Sequence, residues 1–91
     1  MGQETKTERR IRTRQRIHRL QGQLSALERA IDDEKPCENI VIQARAIEKA
    51  VSSLITHVIG GYLEHQLKDL MRTDPEGAIV EISRIFELSN H

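Results

Sequence analysis

Apolar residues recur at helical spacings along nearly the whole chain. From Ile17 they continue through Leu20, Leu24, Leu27 and Ile31, three and four residues apart, a heptad seam on one helix. Thr5 and Glu8 stand at the spacing of a capping box, and Asp32-Asp33-Glu34-Lys35-Pro36 breaks the pattern. The first helix is therefore expected from about Thr7 to about Asp33. Gly22 lies inside it at a cost of about 1 kcal/mol relative to Ala, which predicts a tight helix crossing at that level. After Pro36 a second seam runs through Ile40, Ala44, Ile47, Val51, Leu54, Val58, Gly61 and His65, with no breaker before Thr73-Asp74-Pro75. Such a helix, about 35 residues at 1.5 Å each, reaches roughly 50 Å. The rest of the chain cannot cover that length, so its far end is expected to pack on another subunit. Asp74 as N-cap and Pro75 at the first helical position open a short third helix with an apolar face of Ile79, Ile82, Ile85 and Phe86. The fold expected is all-α, two long helices and one short, in a single domain over residues 1–91 with 1–6 frayed.

Composition supports association. In a chain of 91 residues with 37% hydrophobic and 2% aromatic side chains the core that can be built alone is thin. One cysteine, Cys37, excludes an intrachain disulfide framework and a paired-cysteine zinc knuckle. No apolar run of about 18 residues occurs, and the start of the chain is polar where a signal peptide is apolar, so a cytoplasmic protein without membrane contact is expected. Gly60-Gly61 lacks the Lys-Ser/Thr of a phosphate loop, and no cofactor is expected.

The formal net charge of zero conceals a segregation. Residues 1–20 carry seven basic side chains against Glu4 and Glu8, a surplus of +5 that the remainder balances with −5. Six of the seven are Arg, the better phosphate fork, and a local Arg cluster on a neutral protein suits a polyanion. The bland alternative is a solvated helix face. On a helical wheel Arg9, Arg12, Arg16 and Arg19 fall within about 80° on one flank of the seam, with Arg10 and Arg14 on the other. Without a helix-turn-helix or base-stacking aromatics, a flat basic face built from several subunits fits better than an inserted recognition helix. A helical protein-interaction module without DNA binding is the alternative of another class. An enzyme finds no footing, because no paired carboxylates or nucleophile–base pair stand at a convincing spacing.

The string Arg14-x-Arg16-x-x-Arg19-Leu20-x-Gly22-Gln23-x-x-Ala26-Leu27, the lone Cys37 after an acidic turn, and the weak third helix resemble the CsoR/RcnR/FrmR-like family of small all-helical bacterial transcriptional repressors. The resemblance covers nearly the whole chain. It implies a dimer of dimers that binds operator DNA through Arg14, Arg16 and Arg19, with Arg9, Arg12 and Lys49 nearby, and leaves it when an inducer reaches Cys37. Glu48 stands where many members carry a DNA-contacting Arg.

Metal-sensing members place a His 25 residues after the Cys and a Cys or His four residues further on; here these positions are Tyr62 and Gln66. A neutral phenol and an amide compete poorly for copper, nickel or cobalt. Cys37 and Tyr62 on one helix are nearly 40 Å apart, so only an antiparallel partner brings them together. A displaced site of Cys37 with the partner's His65, joined by the partner's His57, is one reading, although His65 on the seam suits an interface histidine and His57 reads as exposed. His18 and His91 read as solvated. Formaldehyde-responsive members, as the resemblance implies, bridge the thiol to an N-terminal amine through one carbon; here Gly2 or Lys6 would supply the amine. Ala26-Leu27-Glu28-Arg29-Ala30 and Pro36-Cys37 look closest to that branch, and a helix start favours a reactive thiolate. A persulfide-sensing branch joins two cysteines per site, one more than this chain has. The expectation is a repressor released by a Cys37-dependent electrophile, formaldehyde first, with a transition metal at Cys37 and His65 as the alternative.

Overall fold

The computed structural model describes residues 4–90. Among them are four α-helices and no strand: α1 (Lys6–Asp32), α2 (Cys37–Tyr62), α3 (Lys68–Thr73) and α4 (Pro75–Ser89), with a π-helical turn, Leu63–Leu67, joining α2 to α3. The backbone stays right-handed helical through both junctions, so α2, the π-turn and α3 form the one long rod expected from the sequence. The π-turn itself has no sequence signature.

Local chemistry explains the boundaries. The Thr5 side chain accepts from the Glu8 amide at 3.1 Å and starts α1, so helix reaches into the stretch expected to be frayed. At the other end Glu34 takes a left-handed φ of 55°, with Glu34 N–H donating to Ile31 and Lys35 N–H to Ala30, each at 3.0 Å. This is a Schellman cap with glutamate where glycine is usual. Glu34→Gly is accordingly expected to stabilise the fold by about 1 kcal/mol, read as a rise in thermal midpoint. Asp74 caps α4 by accepting from the Gly77 amide at 3.0 Å, with Pro75 in the first turn, as the sequence predicts.

α1 and α2 form an antiparallel hairpin. The inward stripe of α1 runs through Arg9, Thr13, Arg16, Leu20, Gln23, Leu27 and Ala30; that of α2 runs through Ile40, Gln43, Ile47, Ala50, Leu54 and His57. Each expected seam is correct in part, since Leu20, Leu27, Ile40, Ile47 and Leu54 face inward. Ile17, Leu24, Ile31, Ala44, Val51 and Val58 are exposed instead. The reason is that the chain has two apolar stripes one position apart, and polar or small residues complete the inner one. The expected crossing at Gly22 is also corrected, for a Cβ there would meet nothing within 4 Å. On α4, Ile82 and Ile85 turn toward Ile59 and Leu63, whereas Ile79 and Phe86 are exposed.

The single chain is poorly closed. Only Leu20, Ala30, Leu67 and Ala78 are buried apolar residues among those described. Its accessible surface is 7356 Å², against roughly 5400 Å² for a compact monomer of this mass. The radius of gyration is 17.6 Å, against about 12 Å for a compact domain of this length. The excess surface includes Leu24, Val51, Ile55 and Val58 on the hairpin's outer flank, an apolar band suited to another copy.

Candidate DNA-binding face and sensing end

The basic side chains of α1 are not equivalent. Arg14 and Arg19 are exposed and make no ion pair or hydrogen bond among the described residues. Arg16 is half-buried and donates to Ser53 Oγ at 3.0 Å, and Arg12 pairs with Glu4. Lys49 is exposed on α2, one residue beyond Glu48, which accepts from Arg45 at 2.9 Å. Arg9 points inward: its side chain is only 20% exposed, it donates to the His57 carbonyl at 2.6 Å, and it lies near Glu4 and Glu64.

His57, expected to be exposed, is buried in the hairpin, its Nε2 2.8 Å from Thr13 Oγ1. The Thr13 hydroxyl donates its own proton to the Arg9 carbonyl, so the His57 Nε2–H is the donor and the ring is the Nε2-protonated tautomer. Burial first, then Arg9 and Arg16, push the His57 ring below the ordinary histidine range. The folded ring is thus neutral where the unfolded ring takes up a proton, so stability is full above the ordinary histidine range and falls as pH drops through it. Between about pH 7.5 and pH 5.5 the thermal midpoint of the wild type is expected to fall, and His57→Gln to lose that part of the fall.

At the far end of α2 the structure brings Tyr62, His65 and Gln66 to one open groove, shared with Lys6, Arg10 and Arg14 of α1. Burial and the neighbouring Glu81 carboxylate raise the Tyr62 phenol above its usual range, which keeps it a neutral phenol. His65 Nε2 is buried without a hydrogen-bond partner, 3.6 Å from Glu64 Oε2. Cys37 is exposed as the first residue of α2, at the opposite end of the hairpin. Gly2 lies outside the described residues. No group of three His, Cys, Asp or Glu side chains able to hold a metal occurs among the described residues. Cys37 and His65 supply two good donors for a copper-type ion, and one chain cannot bring them together.

The family model for metal-sensitive transcriptional repressors matches residues 9–88. The chain belongs to that family. Within it, the chain is 32% identical over 71 residues to the transcriptional repressor RcnR of Citrobacter koseri, covering 74% of this chain and 79% of that one. It is 31% identical over 71 residues to RcnR of Escherichia coli K12, with the same coverage. It is 25% identical over 73 residues to the copper-sensing transcriptional repressor CsoR of Bacillus subtilis, covering 79% of this chain and 72% of that one. No solved structure matches. These relatives are transcriptional repressors rather than enzymes, and among the described residues no helix is long and apolar enough to cross a membrane.

Proposed function

We propose that this family member represses transcription by binding operator DNA as a homotetramer, and that a transition metal releases it at a site joining Cys37 to the partner's His65. The DNA face is Arg14, Arg16 and Arg19, with Arg12 and Lys49 at its margin. The observation that carries the sensing half is His65 Nε2, buried without a hydrogen-bond partner on the π-turn, far along the rod from Cys37. An unsatisfied buried ring nitrogen is costly to leave empty, and an antiparallel partner would set its Cys37 against it. A metal bound there supplies a strong link between two chains through thiolate and imidazole; Tyr62 and Gln66 would line the site as weak donors. Because the family model is that of metal-sensitive repressors and the CsoR relative is described as copper-sensing, this reading takes precedence over formaldehyde.

Co(II) titration tests the site without DNA. A thiolate-to-metal absorption band is expected in the wild type, lost in Cys37→Ala and weakened in His65→Ala. Mixing the two variants restores part of the band, since one mixed pair contains one intact site. A band absent from the wild type, or unaffected by His65→Ala, overturns the assignment.

Formaldehyde stays as the second reading because the Lys6 side chain lines the groove of Tyr62 and His65. The thiolate would add to the aldehyde carbon, and the amine would then displace water, leaving a methylene bridge. Mass would rise by about 12 Da per bridge, with Cys37→Ala unchanged.

A further inference from the structure

Arg9 belongs by charge to the basic cluster of α1, yet the structure uses it differently. Its guanidinium donates to the His57 carbonyl at 2.6 Å and pairs with Glu4 at 3.5 Å and with Glu64, on the π-turn, at 3.6 Å. The side chain lies across Gly60 and Gly61. A Cβ on Gly60 would sit 2.9 Å from an Arg9 terminal nitrogen, and one on Gly61 would sit 2.5 Å from Arg9 Nε. The glycine pair is therefore the trough that admits Arg9, and it explains two consecutive glycines inside a helix, where each costs about 1 kcal/mol relative to Ala.

The same place holds most of the unfinished polar contacts among the described residues. Of the six buried side-chain polar atoms without a hydrogen-bond partner among the described residues, four are Glu4 Oε1, Arg9 Nε, Glu64 Oε2 and His65 Nε2. One cluster thus ties the first turns of the DNA-binding helix to the turn that carries His65. We propose that Arg9 is a positioning residue, not a phosphate contact: seated on Gly60-Gly61 and paired with Glu64, it fixes the start of α1, and with it Arg14 and Arg16, against the sensing end of the rod.

This rests on the DNA-binding reading, and two kinds of measurement separate the fates of the two. The first is operator affinity across a salt series for the wild type, Arg9→Ala, Arg9→Lys and Gly61→Ala. The Gly61→Ala variant keeps every charge; its methyl displaces a flexible side chain, so the hairpin is expected to fold. Positioning predicts about tenfold weaker binding in all three variants, no rescue by lysine, and a salt slope equal to that of the wild type. A phosphate contact predicts a slope lowered by about 1 in Arg9→Ala, recovery in Arg9→Lys and full affinity in Gly61→Ala, and would overturn the proposal. The second is amide exchange without DNA. Residues 6–13 are expected to exchange faster in Arg9→Ala and Gly61→Ala, with residues 20–30 unchanged. Unchanged exchange in residues 6–13 overturns the proposal, whereas a wild type that fails to bind its operator overturns the repressor reading alone.

Discussion

Replacing Arg14, Arg16 and Arg19 together by Ala is expected to weaken operator binding strongly while leaving the helical hairpin folded. Arg14 and Arg19 are exposed without internal partners, and the half-buried Arg16 gives up one hydrogen bond, to Ser53, so the folded state loses little. DNA binding loses much more. Each phosphate contact contributes a slope of about 0.9 in the dependence of log affinity on log salt, and an oligomer multiplies each loss by the number of chains on the duplex. Affinity is expected to fall by roughly 100-fold or more near physiological salt, with a shallower salt dependence and an unchanged far-ultraviolet circular dichroism spectrum. Retained affinity would transfer the polyanion contact to other residues.

Aspartate at Val58 and aspartate at Leu54 are expected to fail in different ways. Val58 is 54% exposed in the chain, on the outer apolar band, whereas Leu54 is half-buried between α1 and α2. In an isolated chain a carboxylate at position 58 stays in water. Packed against a second copy it becomes an unpaired buried charge, worth several kcal/mol against association. Val58→Asp should therefore give a helical chain that sediments as a smaller species and binds operator weakly. Leu54→Asp should unfold the hairpin and lose its helical signal. A Val58→Asp protein with the wild-type mass in solution would place the subunit interface elsewhere.

These outcomes follow from a division that the sequence shows only in part. Helix boundaries were legible, because Thr5, Asp74 and Pro75 act locally through caps and a fixed φ. The length of the long rod was legible from the absence of any breaker. The inward face was not: spacings of three and four residues fit two adjacent stripes equally well, and tertiary packing chose Gln43, Ala50 and His57 over the more apolar Ala44, Val51 and Val58. For the same reason His57, placed by the apolar seam on the solvent side, is buried. Charge alone put Arg9 with the DNA contacts. The signal for its inward placement is Gly60-Gly61, which the sequence reading takes as a failed phosphate loop and, for Gly61, as a seam position rather than as room for a large side chain. Tyr62, His65 and Gln66 could be grouped from their spacing, while the link between their groove and Lys6 and Arg10 needed the packed hairpin.

Metal release of the operator complex tests the central claim most directly. A labelled operator duplex saturated with the chain is titrated anaerobically with Cu(I), Ni(II) and Co(II), followed by fluorescence anisotropy, for the wild type and Cys37→Ala. At least one of these metals is expected to release the wild type from DNA near one equivalent per chain, with Cys37→Ala remaining bound. Binding that persists with all three metals, or release that does not depend on Cys37, would contradict the account.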